Sequence, residues 1–255
     1  MQEFASLDRQ QWHARYLIQA GWTDFIRQYI LRKIHPHYAA RLLEVGCGTG
    51  AILGSLPNQG FSNLTGVDID APSLSFAKSS SHLFKLVQAD GHHLPFHRDS
   101  FDLSLCHFLL LWVQNPAQIL REMTRVTKPG GWVIALAEPD HQARIDYPPP
   151  LDELGGHQTR SLNNQGVDVR MGRKLRALFH EVGLRDIEGG LLGAEWQGEN
   201  ALPGDDTEWI MLRSDLKGHL TSSELAAFQR ADQDARESGR RVVFIPTFYA
   251  LGRVL

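Results

Sequence analysis

The sequence predicts a doubly wound α/β fold: a seven-stranded, mostly parallel sheet with helices on both faces, an antiparallel C-terminal strand and a helical or irregular cap. Three observations predict it. Between residues 38 and 140, short β-branched or apolar runs alternate with helical segments, the pattern of parallel βαβ units. The first of those runs passes straight into a glycine-rich turn, RLLEVGCGTG at Arg41–Gly50. Two late strand patterns, about Asp186–Trp196 and the closing RVVFIPTFYALGRVL, complete the sheet as an antiparallel hairpin at its edge.

Taken in order, the chain opens with aromatic and aliphatic residues at helical spacing. Trp12, Tyr16 and Leu17 are followed by Trp22, Phe25, Ile26, Tyr29 and Ile30, and Pro36 ends the run, so residues 1–37 read as a helical cap. The core, 38–140, carries strands at Arg41–Val45, Asn63–Val67, Phe84–Gln88, Phe101–His107 and Trp132–Ala137. A short helix follows Gly50, and longer ones cover about Pro72–Ser80 and Pro116–Thr127. Lys128-Pro129-Gly130-Gly131 reads as a turn before the fifth strand. Residues 141–168 are rich in Pro, Gly and Asn and contain YPPP, which fits neither a helix interior nor a central strand, so they read as a lid. The rest, 169–255, returns to the core with a helix at Met171–Glu181 that stops at Gly183. Helices around Thr207–Lys217 and Ser222–Glu237 form an insertion at about 200–238. One domain spans 1–255.

Composition removes several classes. At 255 residues, with 42% hydrophobic and 22% charged residues, the chain can bury a full core. The net charge is −3, and the one basic cluster, Arg170, Arg173, Lys174 and Arg176, falls on a solvated helix face, so no nucleic-acid partner is expected. Cys47 and Cys106 sit in apolar runs and read as reduced thiols. The start, MQEFASLDRQQWHARY, lacks the pattern of a signal peptide, and the longest apolar run, Phe108–Val113, is far too short to cross a bilayer. The expectation is a soluble, cytoplasmic protein with no transmembrane segment.

The glycine turn is the most informative segment. Gly46, Gly48 and Gly50 let the backbone bend sharply and let a ligand approach the main chain, with Cys47 inside the bend. Read literally, Gly46, Gly48 and Ala51 also satisfy the G-x-G-x-x-G/A dinucleotide fingerprint. Glu44, two positions ahead, argues against a pyrophosphate, because like charges repel in a partly desolvated site. A ligand carrying an ammonium and a sulfonium would suit that carboxylate. Asp68 ends strand two about twenty residues past the glycines, where an acid can accept both ribose hydroxyls, with Ile69 offering an apolar face to a base. Asp70 competes for that role but has its own reason to exist, as the N-cap before Ala71-Pro72. Asp90, beside Gly91, can accept from an exocyclic adenine amine, or can be an Asx-turn residue.

The ordered series LLEVGCGTG, GVDID, QADGHHLPF, FDLSLCHFLLLWVQNP and REMTRVTKPGGWVIALAEPD resembles the class I S-adenosylmethionine-dependent methyltransferases. The likeness is greatest to the small-molecule branch that includes the ubiquinone and menaquinone biosynthesis enzymes, and it covers about residues 38–140. The resemblance implies a Rossmann-like fold, S-adenosyl-L-methionine as cofactor and a small-molecule methyl acceptor. Glu44 and Gly46–Gly50 would then cradle the methionine part, Asp68 the ribose, Ile69 the adenine face, and Asp90 with Gly91 the adenine edge. Cys106 and His107 would border the methyl-donor site.

Methyl transfer from a sulfonium needs alignment more than acid–base help, so no catalytic motif is demanded. If a base serves, His107 and His141 are the candidates, since both follow strands at the carboxyl edge of the sheet. Trp12 and Tyr16 from the first helix, and Asp140, Arg144 and Tyr147 from the lid, are candidate substrate contacts. His92, His93 and His97 have zinc-like spacing but lack companion ligands, so no metal is expected. Two other readings of the same motifs are a nicotinamide-dependent oxidoreductase and a catalytically silent cofactor-binding scaffold.

Overall fold

A computed structural model describes residues 8–192, 206–216 and 218–255. Two helices open the described chain, α1 (Arg9–Trp22) and α2 (Asp24–Ile34). Asp8 caps α1 in a reciprocal box with Gln11, and Thr23 at the junction closes the last turn of α1. The sheet strands that follow are β1 (Arg41–Val45), β2 (Asn63–Asp68), β3 (Lys85–Gln88), β4 (Phe101–Cys106) and β5 (Thr127–Pro139). Between them lie α3 (Ala71–Ser80) and α4 (Pro116–Val126), each entered through a capping Asx residue and a proline in the first turn.

Beyond β5 come β6 (Ile145–Tyr147), α5 (Leu151–Asn164), α6 (Met171–Glu181), β7 (Arg185–Leu191), α7 (Asp206–Asp215), α8 (Ser222–Glu237), β8 (Val242–Phe244) and β9 (Thr247–Arg253). The main sheet runs β3-β2-β1-β4-β5-β9-β7. Its first five strands are parallel, and β9 is antiparallel to both β5 and β7. The seven-stranded prediction therefore holds. Two apolar layers sandwich the sheet. One, built on Leu43, Val45 and Val67, packs under α4 and α6. The other, built on Leu42, Leu53 and Leu105, packs under α1 and α2.

Three expectations change. The stretch after Gly50 is not an α-helix but two 3₁₀ turns, Leu53–Ser55 and Pro57–Gln59. Only twelve residues separate Gly50 from β2, and Pro57 and the left-handed Gly60 interrupt any longer helix. The Lys128–Gly131 segment lies inside β5, and its glycines form the irregularity where pairing to β4 shifts between Phe101 and Leu103. The two late strands pair antiparallel at the sheet edge as expected, with β9 lying between β5 and β7. The closing apolar run breaks at Ile245-Pro246 into β8 and β9, and only the second joins the main sheet.

The expected irregular lid is instead organised. Residues 141–168 supply β6 and the fourteen-residue α5. With α7, α8 and β8 they form one cap with its own apolar core, Leu151, Leu154, Trp209, Leu212, Leu216 and Leu225. Asp146 holds the cap together by pairing with both Arg144 and Arg241, all three side chains at most 5% exposed. Arg241 and Trp209 also meet at Asp232. The end of the predicted Asp186–Trp196 strand, Lys217 and the beginning of the 200–238 insertion lie outside the described residues. Among the described residues, no helix is long and apolar enough to cross a membrane.

Candidate cofactor and acceptor site

The site forms where β1, β2 and β3 end. Leaving β1, the chain turns through Gly46, Gly48 and Gly50, all at positive φ. The backbone N–H groups of Gly46 and Cys47 donate to the Val67 carbonyl at 2.8 and 3.0 Å, which lays the turn across the tip of β2. A Cβ on Gly46 would sit 2.8 Å from Leu109, so only glycine fits that bend. Cys47 points away from the turn: its sulfur packs under Gly66, and burial pushes its thiol far above the ordinary range. It is a core residue.

Asp68 anchors the loop. Its Oδ2 accepts the Gly48 N–H at 2.6 Å and its Oδ1 accepts the Asp70 N–H at 2.9 Å. A carboxylate has about four acceptor positions, so each oxygen retains one for a ligand. Asp70 is occupied otherwise. It caps α3 through the Ser73 N–H at 3.0 Å and pairs with Arg9 at 3.0 Å.

Asp90 stands across the cleft. Its Oδ1 accepts both the His92 N–H and the ring Nδ1 of His92, at 2.9 and 2.7 Å. Those hydrogen bonds hold Asp90 below the usual carboxylate range. It is thus an Asx-turn residue whose other oxygen remains available. The neighbouring Gly91 is required by packing: a Cβ there would meet Ile119 and Val45 at 2.9 Å.

A cavity of about 540 Å³ connects these groups. Gly46, Asp68, Ile69, Asp90 and Gly91 line it, as the sequence suggested, and Ile69 is 67% exposed to it and to solvent. The sequence reading missed the opposite wall, which includes Leu109, Trp112, Val113 and Gln118. For the first three the signal was the apolar run FLLLWV, which resembles core until its last residues are seen to turn over the sheet edge.

Glu44 lies below the loop, 2% exposed, with Oε2 accepting the Leu53 N–H at 3.2 Å. Burial pushes its carboxyl well up, and only that hydrogen bond and the charge of Arg27 oppose the shift. Asp68 raises it further. A cationic ligand over the loop would favour the charged form of Glu44, whereas a pyrophosphate would oppose it as Asp68 does.

α1 covers the loop from above. His13 Nδ1 lies 2.8 Å from the Thr49 hydroxyl, and Tyr16 lies 3.6 Å from the position a Gly48 Cβ would take. Trp12 stacks on Tyr16 at 5.7 Å. Both aromatics thus belong to the roof of the glycine turn.

The two histidines part company. His107, after β4, places Nε2 3.1 Å from the Thr23 hydroxyl, and burial with nearby Arg27 lowers it to about 3. His141 lines a separate cavity of about 720 Å³ together with Arg144, Arg160 and Arg170, and burial lowers it to about 4. Its Nδ1 is buried with no hydrogen-bond partner among the described residues. Asp140 is 1% exposed and paired with Arg173, while it also caps the turn at His141–Ala143. Arg144 is held by Asp146 and Gln158 inside the cap. Tyr147 is half-exposed on β6, where its carbonyl accepts from Arg241. These three lid residues work in the cap's structure and none lines the 540 Å³ cavity. Among the described residues no group of three or more His, Cys, Asp or Glu could hold a metal ion.

Residues 43–135 match the methyltransferase domain family. That stretch is rather more than a third of the chain, and its likeness supports a class I S-adenosylmethionine-dependent methyltransferase. It is 34% identical over 98 residues to the ubiquinone biosynthesis O-methyltransferase of Hydrogenovibrio crunogenus, covering 36% of this chain and 40% of that one. To the demethylmenaquinone methyltransferase of Staphylococcus haemolyticus it is 32% identical over 115 residues, 43% and 48% of the two chains. The crystal structure of the [4+2]-cyclase SpnF superposes with a TM-score of 0.55 at 17% identity, covering 91% of this chain and 81% of the other. The chain spans about half the length, or less, of the first curated relatives it matches.

Proposed function

We propose that this protein transfers the methyl group of S-adenosyl-L-methionine to a small-molecule acceptor in the cytoplasm, and that the acceptor is not a nucleic acid. One observation carries the reading. Asp68 is fixed by two backbone N–H groups at the mouth of the cavity, with acceptor positions to spare, directly beside a loop with the buried carboxyl of Glu44 beneath it. The names of the relatives, two quinone-pathway methyltransferases, support a small-molecule acceptor.

The residues divide the work. Asp68 accepts the ribose hydroxyls, Ile69 covers one face of the base, and Asp90 accepts at the edge of the base through its unused oxygen. The Gly46–Gly50 turn permits close backbone approach, and Glu44 becomes the countercharge when a bound cation favours its ionised form. When bound, the cofactor supplies a sulfonium-activated methyl group and a neutral leaving group. Tyr16 and His13 close the loop from above and reduce water in the site. Alignment in that enclosed space is the main source of rate, by in-line displacement. Of the two base candidates, His107 adjoins the N-terminal helices and is the one retained.

Calorimetry tests the binding claim: S-adenosylmethionine and S-adenosylhomocysteine bind in the micromolar range, and NAD does not compete. Saturable NAD binding without either of them overturns the reading in favour of an oxidoreductase. A labelled-methyl screen against oxygen, nitrogen, carbon and sulfur acceptors tests the activity. Binding with no transfer to any class leaves a silent scaffold, a live comparison because SpnF shares the fold and is named for another chemistry.

A further inference from the structure

We propose that the cavity of about 720 Å³ between the cap and α6 is a second binding site, for a polar organic anion whose carboxylate or phosphate is clamped between Arg160 and Arg170. The inference goes beyond the methyltransferase reading and does not need it, because this cavity shares no lining residue with the cofactor cavity.

Four cations line the cavity, Arg144, Arg160, Arg170 and Lys174, and two of them are answered within the protein. Arg144 pairs with Asp146 deep in the cap, and Lys174 pairs with Asp168 at 2.5 Å. The other two have no carboxylate partner among the described residues, and the Arg170 side chain donates only to the neutral amide oxygen of Gln142. The remaining acid of the lining, Asp152, stands in the first turn of α5, where the helix end already favours a negative charge. Arg160 comes from α5 and Arg170 from the turn that enters α6, so two unpaired guanidinium groups from different elements line one cavity. A guanidinium presents a planar fork of donors that matches a carboxylate or a phosphate.

The wall leaves room for such a ligand. Gly155 and Gly156 are neighbours in α5, and both line the cavity. Gly155 has a packing reason, since a Cβ on it would strike Asp146 and Arg144. Gly156 has no such reason: a Cβ would meet only Arg160 Nη1, at 3.4 Å. A helix interior disfavours glycine, yet this one lets the Arg160 guanidinium lie close to the helix and keeps the cavity open. The uncharged lining is mostly polar, with Gln142, Thr159 and Asn163 against a single aliphatic side chain, Val169, so the body of the ligand is polar as well. The volume is that of a small-molecule site rather than of a bare inorganic ion. In the same wall, His141 has a buried Nδ1 with no hydrogen-bond partner among the described residues, a polar demand the protein itself leaves unmet.

Amide chemical-shift titration of ¹⁵N-labelled protein tests the site with two small polyol anions, glycerol 3-phosphate and glycerate. At least one should saturate with a millimolar or tighter Kd and shift the amides of Gly155, Gly156, Asn163 and Val169–Lys174, and the tighter of the two identifies the anionic group. Arg160→Gln and Arg170→Gln should each weaken binding about tenfold. Gly156→Leu, which fills the space while favouring the helix, should abolish binding with Tm unchanged or raised. Arg176→Gln removes an exposed cation of α6 that does not line the cavity, and should leave the affinity as it was. Saturating S-adenosylhomocysteine should not displace either probe. No saturable shift with either anion overturns the proposal, as does an equal loss in Arg176→Gln, which would mean diffuse positive charge. Displacement by S-adenosylhomocysteine also overturns it, by putting the anion in the cofactor cavity. A protein that binds a probe as expected but binds no S-adenosylhomocysteine defeats the methyltransferase reading and leaves this site standing.

Discussion

The backbone N–H of Gly48 donates to Asp68 Oδ2 at 2.6 Å, so the glycine turn and the acid proposed to hold the ribose are one rigid unit. Neither can move without the other.

That coupling makes Asp68→Ala doubly harmful. It removes the ribose acceptor and frees the loop, and should weaken S-adenosylhomocysteine binding at least a hundredfold by calorimetry. Asp70→Ala removes a helix cap and a half-exposed ion pair, so it should cost about 1 kcal/mol of stability and less than fivefold in affinity. Equal effects on affinity would show that the ribose acid is misassigned.

Gly46→Ala tests the bend. A non-glycine residue at φ 74° is strained by about 1–2 kcal/mol. Its Cβ must also push Leu109, a cavity wall residue, by several tenths of an ångström. Denaturant unfolding should report the strain, and calorimetry should report at least a tenfold loss of cofactor affinity.

Glu138 is fully buried and accepts the backbone N–H groups of Leu109, Leu110 and Leu111 at 2.9 to 3.1 Å. Glu138→Gln turns an NH₂ against one of those donors, at a cost of about 1–3 kcal/mol. Burial raises the wild-type carboxyl to about 7, above its ordinary 4.5. Stability from this group is therefore present below pH 4.5 and is lost as pH rises through 7. The wild-type advantage over the glutamine variant, measured by denaturation, should shrink across that window.

His107 and His141 act in the opposite sense. Their folded values, about 3 and about 4, lie below the ordinary 6.5, so the unfolded chain binds the extra protons first. Their stabilisation is present above pH 6.5 and is lost as pH falls toward those values. His141→Asn should flatten the acid limb of the stability curve without altering cofactor affinity, since His141 lines the other cavity.

Asp146→Asn tests the cap. It leaves Arg144 and Arg241 buried with one charge fewer to answer them, which should cost about 3–5 kcal/mol. Hydrogen exchange should show α5 and α8 losing protection while β1 and β4 keep theirs.

The sheet and the loop were legible because their signals are local. Apolar strand runs, the glycines and Asp68 sit within thirty residues of one another, and each has one geometric solution. The far wall of the cavity was not, since Leu109 and Trp112 look like core until the chain is seen to bend at Phe108, which adopts φ 50° without being a glycine. Asp140 and Arg144 were chosen for standing after β5, but their partners, Arg173 and Asp146, are fixed only by tertiary packing. The cap was misread as irregular because the prolines at 148–150 hid the helix that begins immediately after them.

Only Ile245 and Pro246 stand between β8, in the cap ribbon, and β9, next to the edge of the main sheet, and the Pro246 carbonyl also accepts the Asp140 N–H at 2.8 Å. Two residues of slack allow a swing of only a few ångströms. The link at Ile245-Pro246 and the Asp140–Pro246 hydrogen bond thus moor the cap to the end of β5, so the cap and the sheet keep a fixed spacing there.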